Sequence, residues 1–360
     1  MIEALTLIVP GEPDQRTGGY IYDGKIVEAL RRMGWMVEVI GLEGEFPLAD
    51  QTAVAAMDAT LSSQADGAAV VIDGLALSAV PEAIAPHAQR LDLSALVHHP
   101  LADETGLAES DRAHLLESER RALSLCRRII VTSSFTARRL RELGLSADVA
   151  HVVEPGVEAQ ALAPAAVARL NNVTEPEQER LLCVASLTPR KGQDVLLEAL
   201  AALPRDGWLC RLSGSDRRHP TFASRLKAQI QRLNLADRVE LAGERDESQL
   251  NADYGWATVC VLPSHYEGYG MVVSESLARG LPMICTSGGA LADTLPEGAG
   301  VKVPPNNAEA LHAALQRWLS QPQLRREWTR GAARIRETLP SWADSARRFA
   351  DALNVSQVAP

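Results

Sequence analysis

Short apolar runs alternate with stretches of helical period along the whole chain. In the first half, Ala4–Val9, Met36–Ile40, Ala68–Ile72, Ser94–His98, Ile129–Thr132 and Val149–Val153 read as buried strands. Helical stretches lie between them; Ser110–Cys126 is one, with Leu115, Leu116, Ala122, Leu123 and Cys126. Strand–helix alternation of this kind builds a parallel sheet covered by helices on both faces. The segment Pro155–Glu179 breaks the pattern: it holds three prolines and the pair Asn171–Asn172, with no sustained strand. The alternation restarts with strands at Leu181–Ala185, Leu209–Ser213, Val239–Leu241, Thr258–Leu262 and Met283–Thr286. The expected organisation is α/β, with a first doubly wound domain over 1–155, a linker region over 156–179 and a second domain over 180–338. In the tail, 339–360, a helix Trp342–Leu353 follows the start signal Pro340–Ser341 and is a candidate to cross back onto the first domain. Doubly wound domains take ligands at the carboxyl ends of their strands.

Composition narrows the class. With 360 residues, 46% of them hydrophobic and 23% charged, the chain can fill two ordinary cores. No apolar run reaches membrane-spanning length. The N-terminus (MIEALTLIVP) has no basic leader and reads as a strand rather than a signal peptide. Cys183, Cys210, Cys260 and Cys285 fall inside apolar runs and no CxxC pair occurs, which points to buried free thiols and a reducing, cytoplasmic setting. Up to Pro155 the chain has 23 acidic and 13 basic residues, and beyond it 23 of each. The acidic first half disfavours nucleic acid and anionic membranes as partners. Against it stands a stretch with Arg120, Arg121, Arg127, Arg128, Arg138, Arg139 and Arg141, read as solvated helix faces in view of Glu117, Glu119 and Glu142 rather than as a docking patch.

The chemistry-bearing residues cluster at strand ends. After the run Val259–Leu262 comes a loop with Pro263, Ser264, Gly268 and Gly270, then a predicted helix Met271–Ala278 that ends at Gly280 with Pro282 beyond. A helix N-terminus behind a small-residue loop is a seat for a diphosphate. Glu267 and Glu275, eight positions apart on either side of that seat, are placed to accept hydrogen bonds from sugar hydroxyls. A second cluster follows Leu181–Ala185, where Arg190 and Lys191 suit a leaving diphosphate. The first loop offers Gly18 and Gly19 ahead of a helix over Tyr20–Met33; it is not G-x-G-x-x-G, and glycine here serves either a turn or a phosphate. His98 and His99 end the fourth run; neighbours on a strand face opposite ways, so they make a poor joint metal site.

The pattern P-S-x-x-E-G-Y-G-x-x-x-x-E-S-x-A-x-G-x-P-x-I over Pro263–Ile284 resembles the signature of glycosyltransferase family 4, retaining enzymes of the two-domain GT-B fold. The early glycine pair, His98, V-x-P-G-V at Val153–Val157 and R-K-G-x-D-x-L-L at Arg190–Leu197 agree in order, and the likeness covers roughly 1–320. The resemblance implies two Rossmann-like domains facing each other across a cleft, the first binding the acceptor and the second the nucleotide-sugar. It makes His98, Glu267 and Lys191 the catalytic set. Glu267 then contacts the donor sugar, Glu275 the ribose, and the backbone of Gly268, Tyr269, Gly270, Met271 and Val272 holds sugar and diphosphate. Lys191 becomes the phosphate lysine, Gly19 lies beside Gly18 against the donor phosphate, and Gly243, Glu244 and Arg245 meet the base. Gly288 and Gly289 close the donor pocket, or serve turn chemistry alone. His99, Asp103 and Glu104 are acceptor-side candidates. Family members often carry an arginine five positions before the lysine; Ser186 stands there in this chain, and Arg190 either replaces that cation or faces solvent.

The activity implied is metal-independent transfer of a hexose from a nucleoside diphosphate sugar, UDP-glucose first and GDP-mannose next, to the hydroxyl of a small-molecule, glycan or glycolipid acceptor. No cofactor is expected and no Asp-x-Asp metal motif occurs. A sugar-nucleotide 2-epimerase of the same fold and a non-catalytic sugar-nucleotide binding protein are the alternatives. The acceptor, the oligomeric state and any peripheral membrane association are not legible in the sequence.

Overall fold

A computed structural model describes residues 3–104, 106–145, 150–172 and 177–354. The chain divides into two compact units, one of Met1–Gly156 with Pro340–Pro360 and the other of Val157–Leu339.

In the first unit six parallel strands form one sheet: β1 (Ala4–Pro10), β2 (Met36–Leu42), β3 (Ala69–Asp73), β4 (Asp92–Val97), β5 (Arg128–Val131) and β6 (Ala150–Val152), in the order β2-β1-β3-β4-β5-β6. Val149, placed in the last strand by its apolar run, lies outside the described residues. The order reverses between β1 and β3, so the carboxyl ends of those strands flank the switch point where such sheets bind ligands. Ile8, Val70, Ile72, Leu93, Ala95, Val97 and Val131 are buried with Met57, Leu61, Leu77, Leu123 and Leu140 from the covering helices. The helix Gly18–Arg32 buries Tyr22, Ile26, Val27, Ala29 and Leu30 on one face.

The C-terminal helix Trp342–Asn354 belongs to this first unit. Its start is a reciprocal cap: Ser341 N donates to Asp344 Oδ2 at 2.9 Å and Asp344 N donates to Ser341 Oγ at 3.2 Å. Trp342 meets Tyr22 edge to face at 5.9 Å, and Ser345 Oγ donates to Glu154 O at 2.7 Å. These contacts explain why the segment after the second domain returns: its apolar stripe has a tailored face on the helix Gly18–Arg32.

The second unit has β7 (Glu179–Val184), β8 (Trp208–Ser213), β9 (Val239–Gly243), β10 (Val259–Leu262), β11 (Met283–Thr286) and β12 (Gly300–Val303), all parallel, in the order β12-β11-β10-β7-β8-β9. The switch point falls between β7 and β10. The short edge strand β12 was not among the expected ones, because a glycine, a lysine and only two valines make no apolar run. Cys183, Cys210, Cys260 and Cys285 are buried free thiols, held well above the ordinary thiol range by burial. No helix among the described residues is long and apolar enough to cross a membrane.

The expected linker 156–179 contains a helix, Pro164–Leu170, with proline at its first position, where its missing N–H costs nothing. Residues 173–176 lie outside the described residues. That helix is pinned by a buried ion pair. Arg169 donates from Nη2 to both oxygens of Glu179 at 2.7 and 2.8 Å, and from Nη1 to Thr258 O at 3.0 Å. Trp318 Nε1, Thr258 Oγ1 and Arg325 also reach Glu179, at 3.0, 2.7 and 3.2 Å. A carboxylate desolvated to this degree is stable only because its lone pairs are all engaged. Arg169→Met leaves it undercompensated, and we expect a loss of about 3–5 kcal/mol. Urea unfolding of the variant followed by tryptophan emission measures it; an unchanged midpoint would contradict the role given to the pair.

Candidate functional site

At the switch point of the second unit, the loops leaving β7 and β10 are joined by one carboxylate. Glu267 Oε1 accepts from Lys191 Nζ at 2.6 Å and from Ser264 Oγ at 2.6 Å, and its Oε2 lies 3.5 Å from Arg190 Nη1. Arg190 Nη1 also donates to Tyr266 O at 2.9 Å, and His265 N donates to Arg190 O at 2.8 Å. Arg190, Lys191 and Glu267 are thereby brought together, with Arg190 turned to the carboxylate. Burial would push the Glu267 carboxyl up, but the fields of Lys191 and Arg190 and the Ser264 hydroxyl hold it below the usual carboxylate range. Burial lowers Lys191, and Arg190 adds to that, against the opposing pull of Glu267. Ser186 contributes its carbonyl to Gln193 Nε2 at 3.0 Å.

Two glycines make this junction possible. Gly192, at φ +66°, would place a Cβ 2.2 Å from Pro263 O. Gly289, at φ +63°, would place one 2.4 Å from Glu267 O. Neither the left-handed backbone nor the close approach tolerates a side chain. Gly289 pairs with Glu267 as an isolated parallel bridge, and Ala290 N donates to Glu267 O at 2.8 Å.

The helix Met271–Ala278 starts after Gly270 with no side-chain cap and no acidic residue in its first turn. Val273 N turns back to Gly270 O at 2.9 Å, which leaves the N–H groups of Met271 and Val272 and the positive dipole end to face an anion. The loop before it is braced: Thr294 Oγ1 donates to Tyr269 O at 2.7 Å, and the Tyr269 hydroxyl meets Ser274 Oγ at 3.1 Å. Glu275, half-buried inside the helix, accepts from Tyr254 OH at 2.7 Å, while Arg279 lies over the Tyr254 ring at 4.3 Å. Ser264 belongs to the loop motif, but Tyr254 and Thr294 carry no motif of their own; they lie 21 and 25 positions from the glutamate and loop they hold, and only the fold reveals them.

Of the residues expected at the base, Gly243 closes β9 and its carbonyl accepts from Gly214 N at 2.8 Å. Glu244 is exposed, whereas Arg245 turns to Asp253, with Nε 3.0 Å from Oδ2.

In the first unit, Gly18 and Gly19 open the helix Gly18–Arg32, which has neither a side-chain cap nor an acidic first turn. Gly19 packs on His98: a Cβ there would lie 3.2 Å from its ring Cδ2. His98 Nε2 faces two buried carboxylates, Asp23 Oδ1 at 3.1 Å and Asp73 Oδ2 at 3.4 Å. Burial would lower His98, but Asp23 first and Asp73 second raise it to about 10. Burial also raises the Asp23 carboxyl, and His98 counteracts this. Among the described residues, Asp23, Asp73 and His98 are the trio whose ligating atoms lie close enough to share a metal ion, within 4.8 Å of one another. Asp23 and Asp73 escaped sequence reading, since a strand-end aspartate before Gly74 and an aspartate inside a helix are common. Asp23 also lines a largely apolar cavity of about 600 Å³ with Leu7, Val9, Val27 and Val39.

The acceptor-side candidates are already engaged. His99 Nε2 lies 3.1 Å from Glu104 Oε2, and Asp103 takes Arg139 on both oxygens, at 2.7 and 2.8 Å. Most of the basic stretch is paired in the same way: Arg120 with Glu117, Arg121 with Glu82, Arg127 and Arg128 with Asp92.

Residues 168–335 match the family described as glycosyl transferases group 1. D-inositol 3-phosphate glycosyltransferase of Streptosporangium roseum is 28% identical over 263 residues, 68% of this chain and 59% of its own. The MMP alpha-(1->4)-mannosyltransferase of Mycolicibacterium hassiacum is 29% identical over 272 residues, 71% of this chain and 63% of its own. The chain thus spans about three fifths of the length of the curated relatives it matches. Sucrose-phosphate synthase from Thermosynechococcus elongatus superposes with a TM-score of 0.80 at 25% identity, covering 97% of this chain and 98% of that one. Residues 168–335, in the second unit, carry the glycosyl transferases group 1 match, and two six-stranded parallel sheets with helices around them follow the GT-B plan.

Proposed function

We propose that this protein is a retaining glycosyltransferase that moves a hexose from a nucleoside diphosphate sugar to the hydroxyl of a small acceptor without a metal ion. The observation that carries the reading is the junction of Lys191, Arg190 and Ser264 on Glu267, next to the uncapped helix start at Met271. Two cations and a helix N-terminus beside one carboxylate leave net positive charge where a diphosphate would depart.

In this reading the diphosphate rests on the N–H groups from Tyr269 to Val272. Glu267, fixed by Lys191 and Ser264, accepts hydrogen bonds from the sugar hydroxyls. Glu275, braced by Tyr254, takes the ribose, and Gly243 to Arg245 line the base. In the first unit, His98 is the group assigned to a substrate oxygen. The bond from the anomeric carbon to the diphosphate oxygen breaks while the acceptor oxygen bonds the same face of that carbon. The acceptor proton passes to the departing phosphate oxygen, and Lys191 and Arg190 neutralise the charge that develops there.

UDP-glucose is the first donor to test and GDP-mannose the second. The named relatives act on D-inositol 3-phosphate or transfer mannose, so D-inositol 3-phosphate heads the acceptor panel. A 2-epimerase is the alternative, and release of nucleoside diphosphate only in the presence of acceptor separates the two.

Three outcomes are expected. Lys191→Met lowers kcat about 10²- to 10³-fold, as loss of one group stabilising the leaving charge does; steady-state kinetics with wild-type turnover would remove Lys191 from the mechanism. Glu267→Gln loses turnover and keeps nucleotide binding by calorimetry, whereas a non-catalytic binding protein has no turnover to lose. EDTA leaves the rate intact, and a strict divalent-metal requirement would sink the metal-free scheme. For the donor, a thermal-shift panel of nucleoside diphosphates and their sugars should single out one base, since ligand at a hundred times its Kd adds about 2.7 kcal/mol of stability.

A further inference from the structure

His98 is surrounded in a way that a sugar-contacting histidine does not need. Its Nε2 points between two carboxylates from different elements: Asp23 from the helix Gly18–Arg32, 3.1 Å away, and Asp73 from the end of β3, 3.4 Å away. Both aspartates are nearly inaccessible, at 5% and 6% exposure. Tyr22 meets the ring edge-on at 5.4 Å, and Gly19 abuts Cδ2. The imidazole is therefore locked in orientation from three sides. Among the described residues no protein group bonds its Nδ1.

Proton placement follows from this geometry. A neutral ring protonated on Nδ1 would turn the Nε2 lone pair toward two carboxylates, which is repulsive. A neutral ring protonated on Nε2 satisfies them but leaves Nδ1 an acceptor only. The doubly protonated ring meets both carboxylates and offsets part of their buried charge, which in a poorly solvated site is expensive to leave uncompensated.

We propose that Asp23 and Asp73 are positioning residues that together hold His98 as an imidazolium, so that its Nδ1–H is a permanent hydrogen-bond donor to an oxygen of the substrate. The link to substrate rests on the glycosyltransferase reading above; the protonation of His98 does not. The groups facing the ring are Asp23 and Tyr22 from one helix and Asp73 from the strand end; burial holds the Tyr22 phenol neutral, well above its usual value. With His98 raised from 6.5 to about 10, its contribution to stability is fully present below pH 6.5 and is lost as pH rises through about 10.

The test is a histidine-ring NMR titration of the full chain without substrate, with His98 assigned by His98→Gln. In the wild type, the ring should stay doubly protonated through pH 8. Asp23→Asn and Asp73→Asn should each lower its midpoint by about 1–3 pH units, the effect of one nearby opposite charge. Asn also keeps the cap that Asp73 Oδ1 forms with Leu75 N at 2.9 Å, and melting temperatures report the fold. In the kinetics, each variant should gain an alkaline limb in kcat/KM at its own new midpoint and recover activity at lower pH, and Asp73→Glu should restore the wild-type profile. A wild-type midpoint near 6.5, or Asn variants that leave it unmoved, overturns the proposal. So does broadening of the His98 resonances by micromolar Mn²⁺, which would make the trio a metal site. If the titration behaves as stated but no sugar is transferred, it is the glycosyltransferase reading that fails.

Discussion

The second unit turns on a single carboxylate. Glu267 sits in the loop after β10 and binds the cations of the loop after β7, so it joins the two strands that flank the switch point. Burying that charge imposes the rest: two cations close by, a serine hydroxyl three residues earlier to occupy a lone pair, and backbones packed so tightly that Gly192 and Gly289 have no room for a side chain. The acid is thereby fixed in orientation without being exhausted, since Oε2 faces Arg190 only at 3.5 Å. A ligand arriving here meets a rigid acceptor, two cations and an open helix end, with little left to reorganise.

The first unit repeats this logic with the signs exchanged. There one imidazole faces two carboxylates, again at the switch point of a parallel sheet, with Gly19 pressed against its ring. One centre therefore concentrates positive charge and the other negative charge, and each orients its central group through neighbours from separate elements. The remaining ionic residues are mostly spent on structure: the Asp103–Arg139 pair braces the loop after His99, and Arg169–Glu179 anchors the helix Pro164–Leu170. Within the basic stretch, Arg120, Arg121, Arg127, Arg128 and Arg139 each have an acid beside them.

Both sheets, the strand–loop–helix seat at Leu262–Met271 and the pairing of Arg190–Lys191 with a strand end were legible in the sequence. Each depends on local pattern: an apolar run makes a buried strand, small residues make a loop that admits a ligand, and a helix N-terminus is a consequence of where a helix begins. The short edge strand Gly300–Val303 and the helix Pro164–Leu170 were not, since the former lacks an apolar run and the latter starts at a proline that also reads as a break.

Tertiary structure alone decided the partners. Asp23, Asp73 and His98 are separated by 50 and 25 positions and meet because β1, β3 and β4 are neighbours in an order the chain does not follow. Likewise Lys191 reaches Glu267 across 76 residues, and Tyr254 reaches Glu275 across 21. Whether Arg190 faces in or out, and whether Asp103 is open to a ligand, depended on carboxylates and cations distant in sequence. The sequence determined which groups could do chemistry and on which strand ends they stand. The fold determined which charges face one another, because charge compensation in a buried site is set by distance in space and not by spacing along the chain.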